Sequence, residues 1–162
     1  MIYLLDANAF MEASRLYYGF DVAPGFWTWL AGPGLNGNVA SVKSVKDEIT
    51  SGTGDLVTWA YSLPASFWMV DTAASAVQLA NLAAWANHPN RIYRSEAVAE
   101  FMGSADLRLI AQAAALNATV VTREVPAPQS QRRIKIPDAC DQNGVAWTDP
   151  FTAYRTLGLI LN

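Results

Sequence analysis

Met1-Ile2-Tyr3-Leu4-Leu5-Asp6-Ala7-Asn8 opens the chain with an apolar run that stops on an acid. The run is short and bounded, as a buried strand is, and Asp6 stands at its carboxyl end. Three further acids recur in comparable places. Glu48 lies in Val42-Lys43-Ser44-Val45-Lys46-Asp47-Glu48-Ile49, at helical spacing after a second strand candidate, Asn38-Val39-Ala40-Ser41. Asp106 opens the helical stretch Ser104-Ala105-Asp106-Leu107-Arg108-Leu109-Ile110-Ala111. Glu124 follows a third strand, Ala118-Thr119-Val120-Val121-Thr122. In an open parallel sheet, ligands bind in the crevice outside the carboxyl ends of the strands. Four acids meeting there repel one another, by roughly 4 kcal/mol for two unit charges about 4 Å apart at an effective dielectric near 20. Convergence therefore implies a bound divalent cation or strongly raised pKa values.

The rest of the chain alternates strands with helices. Residues 7–16 are helix-compatible, and 17–30 are rich in aromatics. Gly32-Pro33-Gly34 marks a break before the second strand, and 47–60 reads as a helix interrupted at Ser51-Gly52-Thr53-Gly54. Phe67-Trp68-Met69-Val70 reads as a strand. The spacing predicts helices over 72–86 with Thr72 as N-cap, over 95–102, and over 104–116 with Ser104 as cap. A loop carrying Pro126, Pro128 and Pro137 leads to the last strand, Val145-Ala146-Trp147, and a helix from Pro150 to Gly158. Such alternation predicts an α/β protein, a parallel sheet flanked by helices on both faces.

Composition narrows the function classes. At 162 residues, 52% apolar and 15% charged, one globular domain with a substantial core is expected. No apolar run approaches the roughly 20 residues that span a bilayer. The N-terminus lacks a basic n-region, so no signal peptide is expected. One cysteine, Cys140, excludes an internal disulfide and fits a reducing cytoplasm. Asn117-Ala118-Thr119 matches a glycosylation acceptor but falls on an expected buried strand. A net charge of −3 argues against a DNA-coating protein, though metal would neutralise four of the 14 acids. Basic residues cluster after the third strand, at Arg123, Arg132, Arg133 and Lys135, with a smaller pair at Arg91 and Arg94.

Residues 1–8, Ser41 to Ile49 with its Asp-Glu-Ile, Ala105-Asp106-Leu107 with Leu109-Ile110-Ala111, and Val120-Val121-Thr122-Arg123-Glu124 resemble, in order, the four motif blocks of PIN-like domains. The stretch from Glu124 to Cys140, with Pro-Ala-Pro and Lys-Ile-Pro-Asp-Ala-Cys, is similar to a bacterial PIN-like subfamily of inferred function. The resemblance implies a three-layer α/β/α sandwich on a five-stranded, mainly parallel sheet, and a ribonuclease dependent on Mg²⁺ or Mn²⁺. It also implies a toxin of a toxin–antitoxin pair, held by a cognate antitoxin and acting as a homodimer in the cytoplasm. The implied metal and catalytic set is Asp6, Glu48, Asp106 and Glu124. One position departs from the pattern: many PIN-like domains carry an Asp in a Thr-x-Asp block where this chain has Glu124. Asp138 and Asp141 are possible substitutes.

Mg²⁺ takes one or two carboxylates plus waters in near-octahedral geometry. Asp6 suits it because a strand end is rigid, and Asn8 can position a water or the scissile phosphate. The expected reaction is in-line attack of an activated water on a phosphodiester. Against this, the acids can be surface caps and ion pairs, and Asp106 can serve its helix dipole. Asp47 competes with Glu48 as ligand. Arg123, Arg132, Arg133 and Lys135 can contact RNA phosphates or form a solvated loop. The aromatics from Tyr17 to Trp29 can stack bases or pack between helices or across a dimer, whereas Trp59, Trp68, Trp85 and Trp147 read as core. Nothing in the sequence pairs His88 with Cys140. Gly32 to Gly37 matches a dinucleotide fingerprint but precedes a strand and opens no helix. A haloacid-dehalogenase-type phosphatase also starts with a strand ending in Asp, but needs a second Asp where Asn8 stands. A catalytically inactive PIN-like module binding RNA or protein is the alternative from another class.

Overall fold

All three residues of the first strand, β1 (Tyr3–Leu5), are buried: a strand lies on each side of it and helices cover both faces of the sheet. The structure, a computed structural model, describes residues 1–32 and 35–162. The other strands are β2 (Val39–Val42), β3 (Trp68–Met69), β4 (Thr119–Val121) and β5 (Trp147–Thr148). They form one sheet in the order β3-β2-β1-β4-β5, every pairing parallel. The α/β architecture is the one expected. Strands buried on both faces read as unbroken apolar runs, and the four residues of β2 are likewise buried throughout. The only hydroxyl in β2, Ser41, donates to the Leu5 carbonyl at 2.6 Å, so burying it leaves no orphan.

The helices are α1 (Ala7–Glu12), α2 (Pro24–Leu30), α3 (Lys43–Thr50), α4 (Asp55–Ser62), α5 (Ala73–Ala86), α6 (Ser95–Met102), α7 (Ala105–Leu116), α8 (Ile136–Gln142) and α9 (Pro150–Thr156). Crossovers of the near-universal right hand put the connections from β1 to β3 on one face and those from β3 to β5 on the other. Side-chain contacts divide the same way. Phe10 of α1, Trp27 of α2 and Trp59 of α4 share one aromatic layer, with Phe10 and Trp27 ring centroids 5.8 and 4.9 Å from Trp59. Trp85 of α5 meets Phe101 of α6 in the opposite layer, at 6.3 Å. The indole N–H groups of Trp27, Trp59 and Trp68 donate to the carbonyls of Tyr18, Trp27 and Ala60. These aromatics are packing, as one of the two readings of 17–29 has it.

Four local expectations need correction. The helix expected over 7–16 ends at Glu12 and continues as a π-turn, Ala13–Tyr17. The helical stretch expected over 47–60 is interrupted at residues 51–54 as expected, with Gly54 at φ of 111°, but it starts earlier, directly after β2 at Lys43. Ser104 occupies the N-cap position of α7 without a side-chain cap bond; its hydroxyl instead donates to the Phe101 carbonyl at 2.7 Å. The proline-bearing loop contains α8, with Pro137 in its first turn, where a missing N–H leaves no bond unmade. By contrast, Thr72 and Ser75 form a reciprocal capping box at the start of α5. The break and the glycine pattern between Gly32 and Gly37 fall partly on residues 33 and 34, outside the described residues. Among the described residues, no helix is long and apolar enough to cross a membrane.

Candidate functional site

Strand order reverses at β1: the chain builds outward to β3 on one side, then returns to build β4 and β5 on the other. Asp6 sits at this switch point. Its backbone N–H continues the ladder to the Val121 carbonyl at 3.0 Å, and the chain then turns into α1. Its carboxylate caps that helix, Oδ1 accepting from the Ala9 N–H at 2.6 Å. Oδ2 accepts from the Thr122 hydroxyl at 2.7 Å, and Thr122 in turn accepts from the Glu124 N–H at 3.1 Å. Asp6 is only 1% exposed. Burial pushes its pKa up to about 7; the Thr122 and Ala9 bonds oppose the rise, and the charges of Asp106 and Glu124 add to it.

A cleft of about 560 Å³ opens beside Asp6. Asn8, Glu48 and Asp106 line it too, so three of the four expected acids and the expected asparagine share one cavity. Asp106, in the first turn of α7, has its pKa pushed up to about 6 by burial, then by Glu124 and Glu48, against the lowering pull of Arg133. Asp47 also lines the cleft, but its carboxylate is exposed and pairs with Lys43 at 2.8 Å, one helical turn away. Two residues outside the set expected from sequence belong here. Glu100 lines the cleft from α6. Thr122, which orients Asp6, is signalled in the sequence only as the polar end of an apolar strand.

Glu124 does not line the cleft. Its Oε1 accepts from Arg133 Nη2 at 2.8 Å and its Oε2 from the Ile136 N–H, the first amide of α8, at 2.6 Å. Longer than Asp by a methylene, it reaches α8 instead of the cavity. Neither substitute takes its place. Asp138 is buried and accepts from the Ala127 N–H at 2.8 Å, and Asp141 accepts from the Trp147 indole at 2.8 Å.

The basic segment divides as well. Arg123 turns away from the cleft, pairing with Glu12 at 3.0 Å and lying over the Tyr17 and Phe151 rings. Arg132 is exposed, and Lys135 precedes α8 as its N-cap residue. Arg133 alone of the four lines the cleft. His88 closes a local turn, its Nδ1 accepting from the Asn90 N–H at 3.1 Å. Cys140 is fully buried and its thiol is pushed up to about 12, chiefly by burial, so it is no nucleophile at neutral pH.

The donor chemistry of the cleft suits a hard cation, with oxygen ligands only. A carboxylate offers about four lone-pair sites, and Asp6 uses two of them, so it retains capacity. Among the described residues, no group of three or more acids, histidines or cysteines stands at metal-holding distance. Asp6 and Asp106 are the least exposed acids lining the cleft and could supply oxygens to an ion; Glu48 is exposed.

A parallel α/β sandwich with an acidic cleft at its switch point is the class that fold and site define. The chain belongs to the family described as Domain of unknown function (DUF4411), whose model matches residues 3–160. No curated protein and no solved structure matches it.

Proposed function

We propose that the protein is a Mg²⁺- or Mn²⁺-dependent endoribonuclease acting on single-stranded RNA. The observation that carries this reading is the pairing of two carboxylates, Asp6 and Asp106, in one cleft with both pKa values raised. Burial first, and neighbouring acids after it, make both costly to ionise, and a bound cation would relieve that cost. Asp6 and Asp106 would hold the ion, which when bound supplies Lewis acidity and an activated water. Thr122 and the Ala9 amide fix the Asp6 carboxylate, so a ligand geometry would exist before binding. Asn8, exposed at the cleft, presents an amide that can orient the water or a phosphate oxygen. Asn8 stands where a phosphatase of the haloacid-dehalogenase type needs an acid, which favours direct attack by water over a phosphoenzyme.

The toxin role, a cognate antitoxin and a homodimer are proposed from the PIN-like resemblance, and a cytoplasmic location from the single cysteine. Exposed apolar side chains at Leu16, Val22 and Ile160 are compatible with protein partners. The test is a cleavage assay with Mn²⁺ on folded and unstructured RNAs, beside a generic phosphomonoester. Internal cuts in the unstructured RNA are expected, since unpaired bases can be splayed out for recognition. Hydrolysis of the phosphomonoester with RNA untouched would overturn the reading. The engagement of both Glu124 oxygens away from the cleft favours one second reading, a non-catalytic module that binds RNA or protein. Mn²⁺ binding without cleavage of any RNA would point to it.

A further inference from the structure

Glu124 and Arg133 form an ion pair whose two members sit in unlike surroundings. The Glu124 side chain is 7% exposed, whereas Arg133 is 46% exposed and faces the cleft. The carboxylate is fixed at both oxygens, one by Arg133 and one by the first amide of α8. Swinging it toward Asp6 would break a charge-assisted bond and orphan the Ile136 N–H, each of which costs stability. Glu124 is thus a mount. What it mounts is a guanidinium with five N–H donors in a fixed fork, of which Nη2 spends one on Glu124.

The cleft needs such a group. Glu48 and Glu100, with Asp6 and Asp106 where ionised, would repel an incoming phosphodiester, whereas Asp47 is offset by Lys43. Two arginines line the cavity among the described residues, and each spends one donor on a carboxylate outside its wall: Arg108 on the exposed Asp71, Arg133 on the buried side chain of Glu124. Only Arg133 is thus held by a partner itself fixed at both oxygens, and its remaining donors can meet the non-bridging oxygens of a phosphate bidentately. We propose that Arg133 receives the scissile phosphate and that Glu124 is a positioning residue that aims it, not a metal ligand. The proposal rests on the nuclease reading above and assigns the substrate-recognising cation of that site.

Three variants separate the roles: Arg133→Ala, Arg133→Lys and Glu124→Gln, with Arg155→Ala as the control. Calorimetry with Mn²⁺ reads metal affinity. Single-turnover cleavage of an unstructured RNA, and its affinity in Ca²⁺ over a salt series, read the substrate side. Arg133→Ala is expected to slow cleavage about a hundredfold, as loss of one preorganised donor does, and to lower the salt slope by about one. Arg133→Lys should restore the salt slope but only part of the rate, since a point charge lacks the fork. Glu124→Gln should slow cleavage about tenfold or more, as loss of a supporting partner does, while Mn²⁺ still binds, weakened only by the loss of a nearby charge. Abolished Mn²⁺ binding in Glu124→Gln, or Arg133→Ala cleavage within about twofold of the parent, overturns the assignment alone. A parent protein that binds Mn²⁺ but neither binds nor cuts RNA overturns the nuclease reading and this assignment with it. Should Glu124→Gln fail to fold, the exposed Arg133 decides the matter by itself.

Discussion

Between about pH 4 and 7, Asp6 holds a proton in the folded chain that it releases in the unfolded one. Its folded pKa is raised from 3.8 to about 7, so the sign of its effect on stability is fixed. Below about pH 4 both states are protonated and stability is undiminished; from there it falls as pH rises, until the loss is complete above about 7. Every tenfold difference in proton affinity between the two states corresponds to about 1.4 kcal/mol. Urea unfolding over this range should show Asp6→Asn gaining on the parent toward pH 8 in metal-free buffer, while its RNA cleavage is abolished. A constant difference across the range would mean that Asp6 is not the buried acid described. Asp47→Asn breaks an ion pair whose side chains are 61% and 60% exposed, a kind worth about 0–1 kcal/mol. It should leave both unfolding and cleavage nearly unchanged. At this scale Asp6, Asn8, Glu48 and Asp106 were legible because strand ends and helix starts place them. Glu124 was not, because its fate turns on one methylene and on a helix that the prolines concealed.

Among the elements, α8 is the one the sequence hid and the one that rearranges the site. Pro126, Pro128 and Pro137 read as loop, yet Pro137 in a first turn is compatible with a helix. Capture of the Ile136 amide by Glu124 then starts α8 where no side-chain cap is present. Cys140 reports on this helix. Its buried thiol, with a pKa raised to about 12, should react with a disulfide reagent only when α8 opens. Labelling in Glu124→Gln should be faster than in the parent, whereas an equal rate would show that the carboxylate does not secure α8. At α5 the sequence was sufficient. Thr72→Ala removes one half of a capping box and should cost about 1 kcal/mol in thermal or chemical unfolding, with cleavage intact.

For the whole molecule, strand alternation gave the parallel sheet, since apolar runs separated by amphipathic stretches have few other ways to bury themselves. The order β3-β2-β1-β4-β5 was not contained in that pattern, because it depends on which strand each crossover returns to. The fold then makes a global prediction. Mn²⁺ should raise the melting temperature more at pH 8 than at pH 5, because protons compete for Asp6 and Asp106 at the lower pH. A stabilisation independent of pH would place the ion elsewhere.

The bond from Thr122 to Asp6 joins residues 116 positions apart. A nascent chain emerges amino end first. Its β1 can pair with β2 early, but the opposite edge stays open until β4 has left the ribosome, and Asp6 lacks its hydroxyl partner until then. Truncated or stalled products therefore carry the acid without the site. The fully supported cleft thus arrives late in synthesis, and an unfinished chain would lack whatever chemistry that cleft performs.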